Sequence, residues 1–396
     1  MKIQVEKISK ELIKPSSPTP GNLRHYQLSF LDQISPHVYT PFVYFFSSGD
    51  SFNSTDVSNQ LKKSLSDILS HYYPFAGRVI DNKFIDCNDE DDAYELTLGV
   101  QLNIFDCGGF AIGVCISHKI ADGLSSAVFM NSWAALARGG ANLVRTHFNS
   151  AALFTPKDNT IGFDSTIYIT KKNIITKRFV FDASAIEILR AEYVANDSSI
   201  RKKPPSRVEV LTAFIWRRFL AVTHGDEKNS YALVHYVNLR PRMEPPLPNY
   251  AFGNYYADAQ TDPVLVPSDS DQDHVLCYNM VRQVMEKINK FDKDFISKIG
   301  EGGEEYLKLL KKDSEGFLRG ELVPFMFTSF CRFPLYDADF GWGKPTWVGL
   351  SHWTYKNLVI FMDTKTGGGI EAHICLKVED MDKFENDEEV LAYGSV

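Results

Sequence analysis

Cysteine is scarce in this sequence and never paired in spacing. Cys87, Cys107, Cys115, Cys277, Cys331 and Cys375 are the only six in 396 residues, and none stands in a CxxC pattern. That argues against zinc and dithiol motifs and for reduced, mostly buried thiols in a cytoplasmic protein. No run approaches the roughly 18 apolar residues of a membrane span. The opening MKIQVEKISKELIKPSSPTP alternates charge with single apolar residues, so neither a signal peptide nor an anchor is expected. The closing EEVLAYGSV ends in no retention or peroxisomal tripeptide. Basic residues are outnumbered, with 42 Lys and Arg against 50 Asp and Glu and a formal net charge of −8. Nucleic acid and anionic membrane surfaces are therefore poor candidates for the main partner. There is no GxSxG, which counts against a serine hydrolase, and no fixed-period repeat or low-complexity tract.

What is present is a long, apolar-rich chain. At 44% hydrophobic and 13% aromatic residues it is globular, and its length makes two domains the expectation. Asp56 precedes a helical pattern in which Val57, Leu61, Leu65, Ile68, Leu69 and Tyr72 share a face, ended by Pro74. GRVIDNKFIDC reads as a hairpin, and Phe110, Ile112, Val114 and Ile116 alternate with small residues as in a half-buried strand. After Gly139-Gly140, TPKDNTIGFDSTIYITKKN has no helical period and is the candidate linker. Beyond it KRFVFD reads as a strand, with Asp182 placed to cap the helix ASAIEILRAEYV. Ser206 and Glu209 form a capping box ahead of VLTAFIWRRFLAV. A long helix aligning Leu276, Met280, Val284 and Ile288, then the strands LVIFMD and IEAHICLKV, complete a mixed α/β pattern.

Two stretches carry chemistry. FAIGVCISHKIADGLSS runs from a strand into His118, a turn containing Asp122, and a helix. His118 is the only histidine with an aspartate four residues on. A strand end is where side chains project into a cleft, so His118 is a candidate base, with a satisfied core histidine as the competing reading. Asp122 is first a turn or helix-start residue. DADFGWGKP, with Asp339, Gly341, Trp342 and Gly343, packs turn residues with aromatics as a fixed loop does. It lacks the glycine spacing and Lys-Ser/Thr of a phosphate-cradling loop. Arg240 and Arg242 in NLRPRMEPPLPNYAFGN are either solvated charges or the buried partners that Asp122 and Asp339 need.

SHKIADG and DFGWGKP in that order, with ELIKPSSPTP, LDQ, HYYPFAGR, FDCGG, SRVEVLTAFIW and the NLRPR stretch between and before them, resemble the BAHD family of plant acyl-CoA-dependent acyltransferases. Within it the chain is most similar to the branch of alkaloid acetyltransferases and acylsugar acyltransferases. The resemblance implies two chloramphenicol-acetyltransferase-like domains, each a mixed sheet flanked by helices, at residues 1–154 and 177–396. Residues 155–176 cross between them, and a channel separates the domains with His118 at its centre. It also implies that Asp122 turns away to pair with Arg240 and that Asp339, Gly341, Trp342 and Gly343 are structural. Two departures stand out. The connection from Asn88 to Gln101 is shorter than the family usually has, as though residues were missing from it. Where relatives often carry Thr-Ser-Trp, this chain has Thr328, Ser329 and Phe330, and phenylalanine offers no indole N–H.

The implied reaction takes a proton from an alcohol as its oxygen attacks a thioester. His118 is the expected base and Thr328 the oxyanion donor. Coenzyme A phosphates are expected at the start of the SRVEVLTAF helix, near Ser206, Arg207 and Lys202. Transfer is expected to be direct, without an acyl-enzyme, because no serine or cysteine sits in an activating motif. No metal and no permanently bound cofactor is required, acyl-CoA being a co-substrate beside a small-molecule alcohol. Neither nucleic acid nor membrane is an expected partner, and the protein is expected to be a cytoplasmic monomer. Acetyl-CoA is the favoured donor. The alternatives are a longer or branched acyl-CoA acting on a sugar ester, or a non-catalytic binding protein of the same fold.

Overall fold

The computed structural model describes residues 4–47, 53–88, 96–140, 146–157, 163–170, 173–196, 204–223, 230–265 and 270–396. Two main sheets organise the chain, which is mixed α/β. In the first, strands Trp347–Leu350, Tyr39–Phe46, Phe110–Ser117 and Leu98–Ile104 lie side by side in that order, all antiparallel. A small sheet of His25–Gln27, Phe84–Asp86 and Arg78–Ile80 accompanies it. Its hairpin turns through Asp81 and Asn82, both at positive φ, a conformation these side chains tolerate.

The second sheet has seven strands. Leu322–Ser329 runs parallel to Ser230–Asn238 on one side and to Leu358–Asp363 on the other. Ile370–Lys377 and Ile174–Phe181 extend it antiparallel, and Tyr256–Gln260 pairs with Ser230–Asn238. The first of these strands in the chain begins at Ile174, ahead of the expected start at 177, because Ile174 still pairs with Lys377. Trp347–Leu350, from the C-terminal portion, belongs to the first sheet, so the later part of the chain lends a strand to the earlier one.

Helices cover both sheets. The helix Ser54–Leu69 buries Val57, Leu61, Leu65, Ile68 and Leu69, but its cap is Asn53, which accepts from the N–H groups of Thr55 and Asp56, rather than Asp56 itself. It packs on Gly123–Ala137, where Phe129, Met130 and Trp133 are fully buried. Each such side chain contributes about 1.5–3 kcal/mol by leaving water. The indole N–H of Trp133 is satisfied by Ser64 Oγ at 2.9 Å. Further along, Ser206 and Glu209 make the reciprocal capping bonds, and Asp182 accepts from Ala185 N–H at 2.7 Å.

All six cysteines are unpaired. Cys107 and Cys115 are exposed, contrary to the mostly buried reading. Cys115 sits on the strand face opposite the core-facing Val114 and Ile116. Among the described residues no helix is long and apolar enough to cross a membrane.

Candidate active site

His118 follows directly on the strand Phe110–Ser117, where the chain leaves the sheet in a turn. Its N–H donates to Val38 O at 2.8 Å, which ties the turn to the neighbouring strand's approach. The ring nitrogen Nδ1 lies 3.1 Å from Asn254 Oδ1. Asn254 is fully buried, and its Nδ2 donates to Asp32 Oδ1 at 2.9 Å and to His118 O at 2.8 Å. Both amide hydrogens are thereby spent on oxygens, so Asn254 Oδ1 faces the imidazole as an acceptor. Nδ1 must carry the proton, and Nε2 keeps its lone pair.

Asp32 anchors this relay. It is fully buried, accepts from Ser29 N–H at 2.9 Å and Ser29 Oγ at 2.6 Å, and also receives the Asn254 N–H at 2.9 Å. Burial raises its pKa while these donors oppose the rise. Burial lowers that of His118, only partly offset by its own backbone, the Asp122 charge and Asn254. The imidazole is neutral at physiological pH for that reason. Next door, burial pushes the Lys119 ammonium down to about 8, and it donates to Gln33 O at 2.9 Å.

Asp122 caps the helix Gly123–Ala137, accepting from Ser125 N–H at 2.8 Å. Arg240, 1% exposed, grips it in a fork, with Nη1 to Oδ2 at 2.7 Å and Nη2 to Oδ1 at 3.1 Å. Tyr255 N–H adds a bond to Oδ2 at 3.0 Å. Burial raises the carboxyl pKa, but the guanidinium charge and hydrogen bonds outweigh it and hold the group below the usual carboxylate value. An acceptor so occupied is held as a buried carboxylate clamped between helix cap and arginine. Gly123 is required beside it: a Cβ there would meet the Phe330 ring at 2.6 Å.

His118 and Asp122 line one cavity with Thr328. Its floor is one face of the second sheet. Alternation along the strands presents Tyr256, Asp258 and Gln260, then Val234, Tyr236 and Asn238, then Pro324, Met326 and Thr328, then Leu358 and Ile360. The Thr328 hydroxyl makes no hydrogen bond among the described residues, so it is available to a ligand oxygen. Phe330 is 8% exposed and packs against Phe42 and Phe333.

The remaining expected site residues lie elsewhere. Asp339 Oδ1 accepts from the N–H groups of Gly341 at 2.9 Å and Gly343 at 3.0 Å, both glycines at positive φ. Its charged partner is Arg138, at 3.5 Å and partly exposed, not a buried arginine. Arg242 donates instead to Ile288 O at 2.9 Å. Trp342 stacks on Phe340 and meets Phe110 and Phe46 edge-on, fixing the loop. Ser206 serves its helix cap, and Arg207 donates to Asp363 at 2.8 Å and Gly368 O at 2.9 Å. Neither lines the His118 cavity, and Lys202 falls outside the described residues. Sequence reasoning assigned no role to Asn254 or Asp32. Both stand in noted stretches, AFGN and LDQ, but only the fold brings them to His118.

Comparison with known proteins matches this framework. The Transferase family matches residues 3–94 and 91–391. Vinorine synthase from Rauvolfia serpentina is 35% identical over 431 residues, covering 96% of this chain and 95% of that protein. Its crystal structure superposes with a TM-score of 0.80 over 98% of each chain, at 32% identity. A limonoid 21-O-acetyltransferase from Melia azedarach is 33% identical over 427 residues, covering 98% of this chain and 97% of that protein. The F. graminearum protein crystallised with coenzyme A and deoxynivalenol shares the fold with a TM-score of 0.68 at 17% identity, covering 94% of this chain and 99% of that one.

Proposed function

The chain belongs to the BAHD Transferase family and is an acyl-CoA-dependent alcohol acyltransferase, and from that premise we propose that it acetylates a hydroxyl of a plant specialised metabolite with His118 as the general base. One observation carries this reading. The Asp32–Asn254–His118 relay leaves Nε2 unprotonated beside the cavity that Thr328 also lines. A bound alcohol within hydrogen-bond reach of Nε2 gives up its proton as its oxygen attacks the thioester carbon. The Thr328 hydroxyl donates to the oxyanion that develops on the carbonyl oxygen. Collapse expels the coenzyme A thiolate, and the imidazolium returns the proton to it. Asp122 holds the turn and helix start through Arg240 and takes no proton.

The donor is acetyl-CoA, as the acetyltransferase names of the relatives support, with no permanently bound group. Coenzyme A phosphates meet the start of the helix Arg207–Thr223, where Ser206 and Arg207 sit with Lys202 a few residues before. Residues 1–154 and 177–396 act as two domains joined by 155–176, in a cytoplasmic monomer. The attack is direct: Ser117 and Cys115 alternate with the core-facing Val114 and Ile116, and neither side chain hydrogen-bonds a base among the described residues. Incubation with acetyl-CoA and a panel of plant alcohols, read by mass spectrometry of products and intact protein, tests this. Transfer to an alcohol with no acyl adduct on the protein is expected. A stable acyl-protein chased by the alcohol overturns the direct route, and no transfer to any alcohol overturns the reading.

A further inference from the structure

The charge of the cavity is unbalanced at one end. Among the described residues its charged lining side chains are Asp122, Arg240, Asp258 and Asp313, with no lysine among them. Asp122 and Arg240 neutralise each other in their fork. Asp258 and Asp313 remain, and no cation lies within ion-pair distance of either among the described residues. Asp258 stands on the strand Tyr256–Gln260 directly opposite Tyr236, with its carboxylate hydrogen-bonded by the Tyr306 hydroxyl. Tyr306, Leu310 and Asp313 come from one face of the helix Glu304–Leu318, at spacings of four and three. Tyr168, Tyr236, Tyr256 and Tyr355 line the same cavity.

Burial raises the pKa of both carboxyl groups; the Tyr306 hydroxyl opposes the rise at Asp258, while at Asp313 the Asp258 charge adds to it and the Lys312 charge, the Gln260 side chain and the Lys287 charge oppose it. Leaving two carboxylates in a tyrosine-walled recess with no cation in direct contact is costly. A second observation is independent of them. Trp353 and Tyr355, each 7% exposed, line the cavity. Among the described residues neither the Trp353 indole N–H nor the Tyr355 hydroxyl has a hydrogen-bond partner. A buried donor that faces a cavity without an acceptor is a place where a ligand oxygen or a water completes the hydrogen bond.

Resting on the reading of this cavity as the acceptor channel, we propose that the alcohol substrate carries a protonated amine, seated between Asp258 and Asp313 among the tyrosine rings, with its hydroxyl toward His118. Aromatic faces and carboxylates together favour a cationic nitrogen over a neutral group of the same shape. The same carboxylates repel the phosphates of coenzyme A, so this end belongs to the acceptor. Trp353 and Tyr355 then donate to oxygen atoms on the acceptor's skeleton. The substrate is in this account a basic, alkaloid-type amino alcohol rather than a neutral terpenoid or sugar ester.

The test offers polycyclic amino alcohols as matched pairs, each as the tertiary amine and as the corresponding lactam, which keeps the skeleton and loses the charge. With acetyl-CoA at pH 7, kcat/KM for the amine is expected to exceed that for the lactam by about tenfold or more, mainly through KM, as one desolvated charge contact supplies. Asp258→Asn and Asp313→Asn are each expected to collapse that ratio. A fluorescence titration of the same pairs needs no turnover and keeps the two readings apart. Amine-selective binding without transfer would sink the acyltransferase reading and support this one. Lactams bound or acylated as well as amines would overturn this inference and leave the acyltransferase standing. So would a preference that survives Asp258→Asn, and the wild-type comparison decides even if a variant fails to fold.

Discussion

Replacing Asp122 by alanine should unfold this protein more readily instead of removing a reacting group. The change strips Arg240, 1% exposed, of its carboxylate partner at 2.7 and 3.1 Å. Breaking one half of a buried pair costs about 3–5 kcal/mol, because the orphaned charge stays desolvated. The Ser125 and Tyr255 N–H groups lose their acceptor too, and a lost N-cap adds about 1 kcal/mol. At about 2 °C per kcal/mol for a large domain, the thermal midpoint should fall by about 6 °C or more. Scanning calorimetry at pH 7 measures it. Asp122→Ala combined with Arg240→Met should recover part of the loss, since the second change removes the stranded charge. The Asp122 pKa is depressed in the fold, so its stabilisation is present above the ordinary carboxylate pKa and lost as pH falls through the folded value. The gap between wild type and variant should therefore narrow in acid. An unchanged midpoint, or a gap that widens in acid, would refute the argument.

Asn254→Leu removes the acceptor that pins the imidazole and strands Asp32, so kcat should fall more than a hundredfold with a smaller change in KM; an unaltered kcat would detach the relay from catalysis. Thr328→Val keeps shape and deletes the hydroxyl, and kcat should drop by about 10²–10³; steady-state kinetics showing only a raised KM would make Thr328 a binding residue. The rate should rise with pH as His118 loses its proton. Because burial lowers its pKa, that limb should lie below the ordinary histidine range, and a limb at or above it in a pH–rate profile would contradict the environment described.

Local chemistry was legible before the fold. The Ser206–Glu209 box, the GRVIDNKFIDC hairpin and the Asp182 cap involve residues within a few positions of one another. His118 at its strand end was likewise visible, and the Asp122–Arg240 pair came from family resemblance. What failed or was missed depends on distance along the chain. Asn254 lies 136 residues from His118 and 222 from Asp32, and nothing in AFGN or LDQ announces that the fold brings them together. Trp347–Leu350 joins the first sheet by pairing with Phe42–Phe45, which no periodicity reveals. Asp339 was expected in a buried pair, yet its side chain is 28% exposed beside Arg138, and a surface pair is worth about 0–1 kcal/mol. Strand parity hid the exposure of Cys115 for a similar reason, since apolar flanks do not say which face is open.

The measurement that tests the account most directly is acetyl transfer by His118→Ala. In the structure the ring touches Asn254 and the edge of Tyr256 and lines the cavity, so its loss should leave the thermal midpoint nearly unchanged. Removing the base should lower kcat by about 10²–10⁴ or more, with acetyl-CoA binding retained. A folded His118→Ala protein that keeps more than a few per cent of wild-type turnover would show that the proton leaves by another route, and the account would fail.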